Sequence, residues 1–184
     1  MKFLMRIKYS IYFFLIAFFN LILKFLPFFF LRKILLQFIG WKIGKNCAIH
    51  RGIKITSFKF KCTIGDGTVI NKNVLLDNRR GIKIGKNVSI SQDVKLYTLG
   101  HDYNNSKFNT FGKMIYIEDY VVIFSGAKIM PGVKLEYGSV ILPFSLVVKN
   151  VKKKNVVGGV PAVKKSMRKS TLTYKLNYKV WFGI

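Results

Sequence analysis

Two histidines, two cysteines and seven acidic residues are the chain's stock for acid–base, thiol and metal chemistry. His101 stands apart among them. It sits between Gly100 and Asp102 inside a long excursion, Tyr97 to Tyr116, that interrupts an otherwise periodic sequence. Long loops thrown off a rigid scaffold are where functional groups concentrate. Imidazole titrates near working pH, so His101 suits a general base. Its other ring nitrogen needs an orienting acceptor, for which a backbone carbonyl, Asp102 and Asp93 are the candidates. His50, directly after Ile49, reads as a structural corner residue, and Cys47 and Cys62 as small apolar packing groups. No set of Cys and His at metal-ligand spacing is present, so no metal is expected.

The scaffold that would hold His101 is visible as a rhythm of six. Ile43, Ile49 and Ile55 form one run, Ile64, Ile70 and Leu76 a second, and Ile84, Ile90 and Leu96 a third. Ile117, Ile123, Ile129, Leu135, Ile141 and Val147 form the longest. A period of six fits neither a lone helix nor an ordinary strand. It fits a coiled β-solenoid in which short strands bend at fixed intervals and point one aliphatic side chain at a shared axis. The residue after the aliphatic is often a turn former, as at Gly44, Gly65, Asn71, Gly85 and Ser91, which suggests a positive φ at the corner. Four residues after it the side chain is small or β-branched: Cys47, Thr68, Val74, Val88, Val94, Val121, Ala127, Val133, Ser139 and Ser145. Such residues fit a flat wall. Three hexads to a turn give a mainly β fold of about five coils. The rhythm slips by a few residues at Ile55–Ile64 and Leu76–Ile84, as small bulges at corners would require.

This divides the chain into an apolar N-terminal segment (1–41), a solenoid (42–150) carrying the loop 97–116, and a basic C-terminal segment (151–184). The apolar run from Tyr9 to Leu23 carries no charge and is short for a bilayer span. A signal peptide, a helix buried on the solenoid end and an anchor lying in the membrane surface all fit. Two helical pieces hinged near Pro27, with Arg6, Lys8, Lys24, Arg32 and Lys33 on their flanks, favour the anchor. The formal net charge of +25 suits an anionic surface. A nucleic-acid partner is not expected, because no recognition motif of the usual kinds accompanies the charge. In the tail, Lys164, Lys165, Arg168, Lys169, Lys175 and Lys179 alternate with Tyr174, Tyr178, Trp181 and Phe182, which suits a membrane interface or packing on a neighbouring subunit.

From about Ile43 to Arg168 the chain resembles the hexapeptide-repeat acyltransferases. The likeness is carried by Ile84-Gly85-Lys86-Asn87-Val88-Ser89-Ile90-Ser91, Leu96-Tyr97-Thr98-Leu99-Gly100-His101-Asp102, Gly126-Ala127-Lys128-Ile129-Met130-Pro131-Gly132-Val133 and Gly159-Val160-Pro161-Ala162. It looks most like the bacterial sugar O-acetyltransferases, relatives of the maltose and galactoside enzymes. Members of that family with an apolar N-terminus often serve capsule, O-antigen or exopolysaccharide synthesis. The resemblance implies a left-handed parallel β-helix, a homotrimer with active sites between subunits, and acetyl-CoA as co-substrate. It makes His101 the catalytic base and puts Asn71, Asp77 and Asp102 at a saccharide acceptor. It puts Ser125, Gly126, Pro143, Val148 and Lys149 along the donor, with Lys164 and Arg168 at its phosphates.

Coenzyme A implies the cytoplasmic face of the inner membrane. Direct attack of a hydroxyl on the thioester, with a backbone N–H near Gly126 for the oxyanion, asks for no nucleophilic side chain. An N-acetyltransferase of an amino sugar and a non-catalytic scaffold are the rival readings. A zinc-dependent branch of the scaffold needs three histidines, one more than the chain has. Val122-Ile123-Phe124 and Leu142-Pro143-Phe144-Ser145 stand where the family usually carries Trp-Ile-Gly and Gly-Ala-Gly-Ser, and Val163 stands where Lys or Arg usually follows Pro-Ala. Bulk in place of glycine is expected to narrow the donor groove.

Overall fold

Aliphatic side chains at every sixth position share one interior only if the backbone bends at each interval. In the computed structural model, which describes residues 2–60 and 62–177, it does. The first coil is β1 (Lys42–Ile43), β2 (Ala48–Ile49) and β3 (Lys54–Ile55); the second is β4 (Cys62–Ile64), β5 (Val69–Ile70) and β6 (Leu75–Leu76). The third is β7 (Ile82–Ile84), β8 (Ser89–Ile90) and β9 (Lys95–Leu96). A hairpin of β10 (Leu99–His101) and β11 (Thr110–Gly112) follows. The fourth coil is β12 (Ile115–Ile117), β13 (Val122–Ile123) and β14 (Lys128–Ile129), and the fifth is β15 (Lys134–Leu135), β16 (Val140–Ile141) and β17 (Leu146–Val147).

Parallel pairing stacks these strands into three walls: β1-β4-β7-β12-β15, β2-β5-β8-β13-β16 and β3-β6-β9-β14-β17. Register is strict, with Ile43 on Ile64, Ile64 on Ile84, Ile84 on Ile117 and Ile117 on Leu135. The expected parallel β-helix is therefore the fold. It runs one rung past residue 150: Val151 bridges Leu135, and β18 (Asn155–Gly158) extends the second wall before β19 (Val163–Met167) folds back on it antiparallel. Each fully buried Ile or Leu on the axis contributes about 1.5–3 kcal/mol. The small residues four after each aliphatic are buried as well.

The corners work differently from the hexad reading. Gly44, Gly65 and Gly85 do not have positive φ. The left-handed residues fall two places later, at Asn46, Gly67, Asn87, Tyr120, Gly138 and Lys154 on the edge between the first and second walls. On the next edge they are Gly52, Asn73, Asp93, Gly126 and Phe144. Gly44, Gly65 and Gly85 are glycine because successive coils touch there. A Cβ on Gly65 would lie 2.6 Å from the carbonyl carbon of Gly85.

The N-terminal segment forms α1 (Lys2–Phe25) and α2 (Phe29–Phe38), parted around Pro27. The second helix caps the first coil. Its Leu36 and Arg32 are fully buried, and Arg32 donates Nε to the Ile49 carbonyl at 2.6 Å and Nη1 to the Leu26 carbonyl. Burial, with Arg51 nearby, brings the Arg32 guanidinium down to about 10.

At the other end, the chain beyond β19 returns along the edge between the first two walls. Arg168 donates to the Tyr120 carbonyl at 2.8 Å, Leu172 is buried, and the Leu176 N–H donates to Asn87 Oδ1 at 3.1 Å. The tail thus straps its own solenoid as far as Asn177. Tyr178, Lys179, Trp181 and Phe182 lie outside the described residues.

Candidate active site

All three rhythm slips fall on the edge between the third and first walls, at 56–60, 77–81 and 97–114. That edge builds a root for the hairpin. Asn78, fully buried, takes the Thr56 and Ser57 N–H groups on Oδ1 at 3.1 and 3.0 Å and donates Nδ2 to the Ser57 and Phe60 carbonyls at 2.7 and 2.5 Å. Asp77 reaches the other way. Its Oδ2 accepts the Thr98 N–H at 3.1 Å, and its own carbonyl accepts the Thr98 hydroxyl at 2.6 Å. Thr98 is the last residue before β10. Its carbonyl accepts the Lys113 N–H at 3.1 Å and its hydroxyl oxygen accepts the Arg80 N–H at 3.0 Å, which ties both hairpin legs to the solenoid.

Asp77 thereby holds the root of the hairpin. Its carboxylate is 1% exposed and also takes Arg79 Nε at 2.7 Å and the Thr56 hydroxyl at 2.8 Å. Burial pushes this carboxyl up, but the hydrogen bonds from Arg79, Thr56 and the Thr98 amide outweigh it and hold it below its ordinary value. The unfolded chain then binds the proton first on acidification. Asp77 contributes stability above the unfolded value of 3.8, and loses it as pH falls through the lower folded value. Asp77→Ala is expected to cost about 2–3 kcal/mol in urea unfolding at pH 7, a figure kept modest because Arg79 is partly solvated. The gap to wild type should narrow as pH falls below about 4.

The expected loop is a β-hairpin, and it ends at 114, since Ile115 and Tyr116 already belong to β12. On it, His101 pairs with Thr110 and is exposed. Its ring stacks on Phe108, with centroids 4.5 Å apart at an 11° tilt. Nδ1 lies 3.0 Å from the Phe108 carbonyl. A carbonyl only accepts, so Nδ1 carries the proton and Nε2 of the neutral ring keeps a lone pair. Of the three candidate orienting groups, the geometry selects a backbone carbonyl. Asp102 instead caps its own turn, accepting the Asn104 N–H at 3.0 Å, and Asp93 sits at a corner of the solenoid with positive φ. Phe108 itself has φ +48°, which an isolated sequence does not announce, and the hairpin register that brings it under His101 is equally silent there.

The remaining candidates are spread over three edges. Asn71 is a corner residue whose Nδ2 donates to the Ile90 carbonyl at 3.1 Å. Ser125, Gly126 and Pro143 gather on the edge between the second and third walls. There the Gly126 N–H is taken by the Gln92 carbonyl at 3.1 Å, while the neighbouring Ser125 amide has no hydrogen bond among the described residues. Phe144 lies over Gly126, close enough that a Cβ there would meet its ring at 2.5 Å, and it is 75% exposed. Val148 and Lys149 are exposed on the hairpin's edge, and Lys164 is exposed on β19 beside Val157. Arg168 lies on the remaining edge with its guanidinium committed to Tyr120, Gly138 and Tyr174. One chain does not bring His101, the Ser125 edge and Arg168 together.

No protein-family model matches the chain. A relative from Escherichia coli (strain K12), bearing the name colanic acid biosynthesis acetyltransferase WcaF, is 34% identical over 132 residues, covering 72% of this chain and 72% of that one. Among solved structures, a hexapeptide-repeat acetyltransferase of Vibrio cholerae O1 biovar eltor, complexed with acetyl coenzyme A, is 28% identical with a TM-score of 0.76. The match covers 84% of this chain and 85% of that one. A galactoside acetyltransferase in complex with coenzyme A is 26% identical with a TM-score of 0.69, covering 74% and 69%.

Proposed function

The chain belongs to the hexapeptide-repeat acetyltransferases, and from that premise we propose that it is an O-acetyltransferase of a sugar or lipid-linked saccharide in surface polysaccharide synthesis, with His101 as its general base. It is an acyltransferase whose co-substrate is acetyl-CoA. The observation that carries the catalytic assignment is the imidazole on the hairpin. Its Nδ1–H is fixed on the Phe108 carbonyl, and its Nε2 is left to accept a proton.

His101 Nε2 takes the proton of an acceptor hydroxyl as that oxygen attacks the thioester carbonyl. The tetrahedral oxyanion is met by a backbone amide, for which Ser125 is the available donor on its edge. Collapse breaks the C–S bond, the imidazolium returns its proton to the leaving thiolate, and acetyl ester and free coenzyme A depart. No side chain is acylated along the way. The separation of His101 from the Ser125 edge within one chain favours a homotrimer in which one copy's hairpin faces a neighbour's Ser125 edge. Similarity to a relative named for colanic acid biosynthesis supports the polysaccharide role, and the apolar helices support a place at the cytoplasmic membrane face.

The purified protein with acetyl-CoA and galactoside, maltose or amino-sugar acceptors is expected to release free thiol and yield an alkali-labile acetyl ester. An alkali-stable amide formed only on the amino sugar would replace the O-acetyl reading. Absence of turnover with every acceptor would count for the scaffold.

A further inference from the structure

The segment Phe3–Phe25 is long and apolar enough to cross a membrane by length and composition. Its contacts argue otherwise. Tyr12 Oη lies 3.0 Å from Ser57 Oγ and accepts the Phe58 N–H at 3.0 Å. Asn20 donates Nδ2 to the Ile55 carbonyl and accepts the Ile55 N–H, both at 2.9 Å. Ile16 and Leu23 on the same stripe are buried. From Tyr12 onward the helix therefore lies along the first coil. A crossing helix would drag Lys54, Ser57 and the backbone around them into hydrocarbon, where unpaired polar groups cost several kcal/mol each. The roughly nine residues left free before Tyr12 rise only about 14 Å, half of a hydrocarbon core of about 30 Å.

The opposite face of α1 is the one left to explain. At about 100° per residue, Phe3, Ile7, Phe14, Phe18, Leu21 and Phe25 fall on the side away from the Tyr12–Leu23 stripe. Phe3, Phe14 and Phe25 are 73%, 68% and 67% exposed. No charge interrupts that face. Arg6 and Lys24 fall on one flank and Lys8 on the other, each about 100° from its centre, where long basic side chains reach headgroups from a helix lying flat. Beside the last turn, Lys24, Arg51 and Lys72 line one cleft with Phe25, Gly52 and Asn73, and no acidic residue is among them. Three cations beside an apolar ridge are complementary to a phosphate-bearing headgroup. In α2, Phe30, Ile34 and Phe38 are exposed as well at a spacing of four, with Phe38 88% exposed.

We propose that α1 lies in the plane of an anionic bilayer without crossing it, its Phe3–Phe25 ridge in the acyl boundary and Lys24, Arg51 and Lys72 on lipid phosphates. This deepens the membrane placement proposed above and does not depend on the acyl-transfer chemistry. Full-length protein diluted from detergent should float with phosphatidylcholine vesicles containing phosphatidylglycerol and not with phosphatidylcholine alone. Joint reversal by Lys24→Glu, Arg51→Glu and Lys72→Glu should weaken flotation by roughly a hundredfold or more. Phe14→Ser with Phe18→Ser should abolish it without lowering the melting temperature, since both side chains point away from the solenoid. In sealed vesicles an impermeant maleimide added outside should label Arg6→Cys fully, the two native thiols being buried.

Labelling that requires detergent, or unchanged flotation of the charge-reversed protein, overturns the proposal. So does failure of the wild type to float while forming an oligomer that the double serine variant breaks, which would make a second copy the ridge's occupant. Turnover on a soluble sugar in detergent separates these failures from failure of the acetyltransferase reading.

Discussion

His101→Ala is expected to lower acetyl-CoA turnover by about 10²–10⁴-fold, the range that loss of a positioned general base produces, and to leave unfolding within about 0.5 kcal/mol of wild type. The separation of the two effects follows from where the ring is. His101 is exposed, and its described contacts are the Phe108 carbonyl and the Phe108 ring. Removing it uncovers no core and strands no buried donor. The hairpin root is unaffected, because Thr98 is held by Asp77 and Arg80 through bonds that do not involve the imidazole. A thiol-release assay beside a urea titration reads both quantities on one preparation. Equal turnover by wild type and variant would remove His101 from the mechanism while leaving the family membership intact. Loss of stability in parallel with turnover would make the histidine a strut of the hairpin and not its working group.

The long-range architecture was legible because it is periodic. Ile64, Ile84 and Ile117 belong to different runs, yet each stacks on the next, since every aliphatic in a six-residue phase must face the same axis. What repetition does not encode stayed hidden. The positive-φ corner lies three residues after the aliphatic, and the side chains found there include Asn, Gly, Tyr, Lys and Phe, so type alone does not mark it. Of the candidate site, the place of His101 on the excursion was legible, and its surroundings were not. Phe108 comes under it through hairpin register, and Asp77 meets Thr98 through stacking of unequal coils; residue type marks neither pairing. Asp77 and Arg168 show the same limit in reverse. As residue types they suit an acceptor and a phosphate, and nothing in their types announces the contacts they make with the hairpin root and the C-terminal strap.

Gly65→Ala is expected to destabilise the protein by about 3 kcal/mol or more, the upper part of the range for overpacking, although it adds one methyl group and Gly65 needs no special φ. The added carbon would lie 2.6 and 2.7 Å from the carbonyl carbon and oxygen of Gly85 and 2.8 Å from the Lys86 nitrogen. These are backbone atoms of the next coil and cannot swing aside. Relief requires the second and third coils to part at that edge, where the Gly65 N–H bonds the Ile84 carbonyl at 2.9 Å. Gly100→Ala supplies the contrast. Its Cβ would meet only the ring edge of Phe111, at 3.2 Å, and that side chain is half exposed on the hairpin and free to yield. That substitution should cost about 0.5 kcal/mol or less. If glycine follows the aliphatic because coils touch there, urea midpoints of the two variants separate widely. If instead it merely relaxes a turn, Gly65→Ala unfolds close to Gly100→Ala and the contact account of the corner fails.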